Sequence, residues 1–305
     1  MTHHQRTGYW LLSGLLVVMA AGRVHAETER AVPAAPKEAP VVQVLVDNVT
    51  DTRAIDSFFG KCEVQLKVMG DAVGDSLGIR AIRVVTAVDD TGRELKTEKE
   101  GLSFFSQNTD HKNMLTEKVS LKNPARSAKM IQLLQGEVEL FHPTPENGGV
   151  VTVGGFLAKP GETLGASALG SQHVSVMYLT KELLEAKKQE MQDKAKAKTD
   201  TEMKQAGREL GEAFGKLFTG MFSGMMDESS SVKLWIEDPE KRVVDIAFLD
   251  ASGKPLSTNG RTSMGEFRSF SFKTWPAPDT RLVIYLASPG AVTSSPFTLH
   301  DIPLP

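Results

Sequence analysis

Short stretches of alternating apolar and polar residues dominate the chain. In Cys62-Glu63-Val64-Gln65-Leu66-Lys67-Val68 every second side chain is apolar. That period of two predicts a strand with one buried face. Such stretches recur at short intervals, separated by Gly, Pro, Asp and Asn, and no strand–helix–strand alternation is present. The pattern predicts antiparallel sheets in sandwiches rather than a parallel sheet.

The strands fall into two similar series. Arg83 to Leu95 and Val243 to Leu256 are each a β-branched run that enters an Asp-x-x-Gly turn (Asp89 to Gly92, Asp250 to Gly253) and leaves with a leucine. Further on, Val119 to Arg126 resembles Phe270 to Ala277, and Lys129 to Leu134 resembles Arg281 to Leu286. Each series ends on one more strand, Val150 to Leu157 and Pro296 to Ile302. Upstream, Val41 to Val46 and Cys62 to Val68 match Val174 to Leu179 and Val232 to Ile236. The repeats span 41–158 and 172–305, joined by a small-residue loop at 159–171. The fold class read from this is mainly β: two tandem Ig-like β-sandwich domains. In architecture the pair resembles the broad class of bacterial extracytoplasmic Ig-like modules.

A helical segment interrupts the second series at 180–231. Lys181 to Lys198 is built of strong helix formers, with Glu190–Lys194 an i,i+4 ion pair. Thr199-Asp200-Thr201-Glu202 matches a capping box and predicts the start of a second helix, which makes the insertion a helical hairpin. In that second helix, over 205–226, Ala206, Leu210, Ala213, Phe214, Leu217, Met221, Phe222 and Met225 recur every three or four residues as one apolar stripe. Gly207, Gly211 and Gly215, then Gly220 and Gly224, lie at four-residue spacing, where a second backbone can approach closely. Three readings stay open: cover for an apolar face of its own sandwich, self-association or capture of a protein partner, and insertion at a membrane surface. Leu210, Phe214, Leu217, Phe218, Met221, Phe222 and Met225 are the candidate contact residues. Arg208, Glu209, Glu212 and Lys216 mix both signs on the polar face, unlike the basic face that anionic lipid favours.

The first residues add a location. A short polar head with Arg6, an apolar run from Tyr9 to Ala21, and Val24-His25-Ala26 predict a signal peptide at 1–26. Residues 27–40, rich in Pro, Ala and charge, read as a disordered linker. The expected location is therefore outside the cytoplasm, periplasmic or extracellular. Removing 1–26 takes away two arginines and no acid, so the formal charge moves from −3 to −5. That balance carries no electrostatic footprint for nucleic acid.

Chemistry is sparse. Cys62 is the single cysteine, so no internal disulfide staples the cores, and alternation places its thiol on a buried strand face. Beyond residue 26 the histidines are His111, His142, His173 and His300, too scattered for a zinc motif. The Asp-x-x-Gly turns read as hairpin chemistry rather than calcium sites. No G-x-S-x-G elbow or phosphate-binding glycine loop occurs, and no cofactor is expected. The expectation is a non-catalytic binding or scaffold protein of a bacterial cell envelope. The alternatives are a peripheral membrane protein using 205–226 and an enzyme with a loop-built site.

Overall fold

The computed structural model describes residues 42–53, 60–97, 105–202 and 230–305. The predicted signal peptide, the linker at 27–40 and the stripe at 205–226 lie outside them. The first run of elements is β1 (Gln43–Thr52), β2 (Lys61–Met69), α1 (Asp71–Asp75), β3 (Gly78–Asp89), β4 (Ser106–Gln107), β5 (Met114–Leu121) and β6 (Met130–Phe141). Next come β7 (Val150–Gly154), a 3-10 turn (Phe156–Ala158), β8 (Thr163–Leu164), α2 (Ala166–Gly170), β9 (Ser175–Leu179) and α3 (Lys181–Glu202). The last are β10 (Ser231–Glu237), β11 (Val243–Leu249), β12 (Gly260–Met264), β13 (Phe267–Ser271), β14 (Arg281–Leu286) and β15 (Val292–Pro303). The protein is mainly β, and the described residues form four antiparallel sheets.

Two cores result. The sheet β1-β2-β5 and the sheet β15-β6-β3-β4 bury one cluster between them. Cys62, Val64, Leu66 and Val68 enter it from β2, Leu134, Val138 and Leu140 from β6, and Phe297 and Ile302 from β15. The predicted alternation of β2 is therefore the burial pattern observed. The second cluster lies between the sheet β12-β13-β10-β9-β8 and the sheet β11-β14-β7. Phe248 is its hub, with Phe270 and Phe272 each 5.1 Å away between ring centroids and Phe156 at 6.0 Å. The edge-to-face contacts of Phe270 and Phe272 with Phe248 add to the burial of their area.

The two strand series read from the sequence do not form closed units. β7 follows the first series in sequence, yet it pairs with β14 of the second, from Tyr285↔Val150 to Arg281↔Gly154. β15 follows the second series, yet it pairs with β6 of the first, from Val292↔Phe141 to Pro303↔Met130. The last strand of each sequence series thus lies in a sheet with strands of the other series, and the boundary expected at 158 does not coincide with sheet membership. The two links that carry the crossing strands are tied together. His142 donates its amide to Ala291 O at 2.7 Å, and Leu286 donates to Gly149 O at 2.8 Å. Asn147 sends its side-chain amide to His142 O and Gly290 O, while its own carbonyl accepts from the Ser288 hydroxyl at 2.7 Å. A hairpin from β6 straight into β7 would leave these groups without those partners.

One glycine fits the crossing strand to its acceptor. Gly136 of β6 stands directly opposite Phe297 of β15. A Cβ there would come within 2.7 Å of the Phe297 ring and closer still to the Arg83 carbonyl oxygen on β3. The bare backbone lets the ring lie across β6. Gly136→Ala is expected to lower stability by about 1–3 kcal/mol through overpacking against backbone that cannot yield. A thermal melt checks this, and an unchanged midpoint would contradict the fit.

Two smaller differences from the sequence reading are local. The loop expected at 159–171 contains β8 and α2, because Leu164 and Leu169 are buried in the second core. The break expected at Thr199 is absent, and α3 runs through it to Glu202. Thr and Asp weaken a helix by only a few tenths of a kcal/mol to about 0.7 kcal/mol each, and no Gly or Pro stands there to stop it.

Candidate functional site: the helix mount on the five-stranded sheet

The face of β9, β10 and β13 turned away from the second core is also apolar. Leu179, Trp235 and Phe267 are buried there, with Met177 and Met264 partly buried beside them. The cover comes from the start of α3. Leu184 is buried in this cluster and Leu183 packs against it. Trp235 is one of the anchors beneath the helix, with its indole N–H donated to Glu237 at 3.2 Å.

The sequence around Thr180 explains why the helix begins at that point. β9 ends at Leu179, and Thr180 takes the N-cap position: its hydroxyl accepts from the Leu183 amide at 3.4 Å and its carbonyl from the Leu184 amide at 3.0 Å. Glu182 lies in the first turn, where its own backbone amide, then the Thr180 hydroxyl, hold its carboxyl below the usual range. Lys187, one turn on from the leucines, places its ammonium 5.5 Å from the Trp235 ring centroid, a cation–π contact. Lys187–Glu190 (3.0 Å) and Lys188–Glu185 (3.9 Å) continue along the helix surface as i,i+3 pairs. From the other side Gly161, with φ at +78°, brings its backbone against Leu183, where a Cβ would be 3.1 Å from the leucine methyl.

The mount was only half legible. By composition Leu183 and Leu184 count only as helix formers within Lys181 to Lys198. The signal was present: two adjacent leucines just after a threonine cap, in a segment otherwise of Lys, Glu, Gln and Ala. The contact residues Leu210, Phe214, Leu217, Phe218, Met221, Phe222 and Met225 lie outside the described residues. The chain departs for that segment after Leu179 and returns at Ser231, on neighbouring strands where Leu179 faces Lys233.

Other candidates for chemistry are spoken for or scattered. Cys62 is fully buried, and burial first, then the nearby Asp51 carboxylate, pushes its thiol up to about 11. Such a thiol is inert at neutral pH. His173 (φ +58°) meets Glu240 at 2.6 Å on an exposed surface, and that contact, with Arg242 beside it, holds the Glu240 carboxyl below its usual range. The Asp89 and Asp250 carboxylates accept the amides of their own turns. Among the described residues no three His, Cys, Asp or Glu side chains gather as a metal site, and no helix is long and apolar enough to cross a membrane. Trp275, 47% exposed between β13 and β14, is the one large aromatic open to solvent among them. No family model, no curated protein and no solved structure matches the chain.

Proposed function

We propose that this is an exported, non-catalytic binding or scaffold protein of a bacterial cell envelope. In this reading two Ig-like β-sandwich modules form its body, and the helical insertion in the second module is its contact element. The observation that carries it is the mount. Thr180, Leu184, Trp235 and Phe267 fix the root of the insertion to the outer face of a sheet, away from the core between the sheets. A contact segment held on a rigid β scaffold loses less conformational freedom on binding than one on a free tether. The β-sheet body supplies that rigidity.

The test is photo-crosslinking in the host envelope, with a photoreactive residue at Leu217 or at Phe222. A discrete adduct, whether with another protein or with a second copy, supports the contact role. The adduct is expected to disappear when Leu217→Asp and Phe222→Asp are introduced around a probe at Met221. Adducts with lipid alone would replace this reading with a peripheral membrane protein. No adduct at either site, with the protein folded and exported, would remove the contact role.

A further inference from the structure

We infer that the edge of β6 is an exchangeable strand-binding site that takes β15 of a second copy of this chain, giving a reciprocal dimer. The starting point is the exchange already present within the chain. β7 sits on β14 as β15 sits on β6, so both acceptor edges are filled by a strand from the other repeat. An edge strand offers a ladder of N–H and C=O groups and alternate side-chain pockets, neither of which depends on the path by which the donor arrives.

The acceptor is specific in its side chains. Gly136 leaves the notch for Phe297, and Ile131 pairs with Ile302. On the solvent side the Ser294 hydroxyl donates to Glu137 at 3.0 Å, and Gln135 donates to the Thr298 hydroxyl at 3.5 Å. Every one of these partners belongs to β6 or β15, so a β15 from another copy would find all of them. Among the described residues β15 enters no other sheet. Its tie to the second half runs through the link 287–291, held by Asn147, His142 and Arg242. Closed and exchanged forms therefore share their strand contacts and differ only in this link and in concentration, the condition under which strand swapping is cheap. The interface is separate from the helical insertion.

The experiment uses the chain from Glu27 carrying Gln135→Cys and Thr298→Cys, which face each other across the β6–β15 pair. The protein is unfolded, refolded under reducing conditions at several concentrations, and only then oxidised, with Cys62 buried. Intrachain capture of β15 competes with capture from a second copy, so the ratio of interchain to intrachain disulfide should rise about tenfold for each tenfold in concentration. Differently tagged chains refolded together should give a covalent mixed dimer. A disulfide that stays within one chain at every concentration would overturn the inference, and so would a monomer by light scattering after the same refolding of the unsubstituted chain. A dimer made by the insertion would associate without an interchain disulfide at these positions, so the two proposals fail separately.

Discussion

A chain cut after Ala291, and so lacking β15, is expected to lose its first core while the second stays folded. The cut removes Phe297 and Ile302 from the cluster around Cys62, and Leu299 and Leu304 from its margin. At about 1.5–3 kcal/mol for each fully buried large apolar side chain, the two central residues alone account for about 3–6 kcal/mol. Eleven paired positions along β6 lose their partner as well. Against a total stability of about 5–15 kcal/mol, a loss of this size unfolds a small core. Cys62 is the reporter. It is inert to a thiol reagent while buried, and its labelling is expected to accelerate by about a hundredfold or more, since each 1.4 kcal/mol of lost protection is about tenfold. Trp235 and Trp275 belong to the other half, and their emission should remain native. The sequence repeat taken alone predicts the reverse, because it counts β15 with the second series. Protected Cys62 with disturbed tryptophan emission would overturn the exchanged pairing.

The second large effect is expected at Asp89 and not at Asp250, although the two occupy matching positions in matching turns. Asp89 is fully buried. One carboxylate oxygen accepts from the Thr91 amide (2.9 Å), the Thr91 hydroxyl (2.7 Å) and the Arg93 amide (3.0 Å). The other accepts from the Ala125 amide at 2.8 Å, across to the segment after β5. Asp89→Ala leaves three backbone amides without this acceptor and should cost about 3 kcal/mol or more. Asp250 is only partly buried and its carboxylate binds its own turn, through Ser252 and Lys254, so Asp250→Ala should move the melting temperature far less.

The pH dependence separates charge from shape. Burial opposes ionisation of Asp89, but the Ala125 amide, the Thr91 hydroxyl and the Arg93 and Thr91 amides outweigh it and hold the carboxyl below the ordinary 3.8. A depressed folded value contributes stability that is complete above the unfolded value and is lost as pH falls through the folded one. The gap in stability between the wild type and Asp89→Asn should therefore be full at pH 7 and shrink below about pH 4. A gap that is constant with pH would mean that the carboxylate's charge plays no part.

The sequence by itself determined which residues form strands and which face each buries. Alternation in β2 placed Cys62, Val64, Leu66 and Val68 inward, and the Asp-x-x-Gly turns marked where β3 and β11 end. These are local properties, set by a period of two and by turn chemistry within a few residues. The helical character of Lys181 to Lys198 was equally local, since it rests on residue propensity.

Tertiary structure alone decided partnership. Any exposed edge presents the same backbone groups, so nothing in Val150 to Gly154 says whether it joins β6 or β14. The choice is made by links 142–149 and 287–291, where Asn147 joins two segments about 140 residues apart in the chain and sends each strand across. The different fates of Asp89 and Asp250 have the same origin. Their turns match, but only Asp89 has the Ala125 amide brought to it by the segment after β5. The anchoring of Leu184 on Trp235 likewise needed β9 and β10 to lie side by side, which brings together residues about 50 positions apart and which no local period encodes.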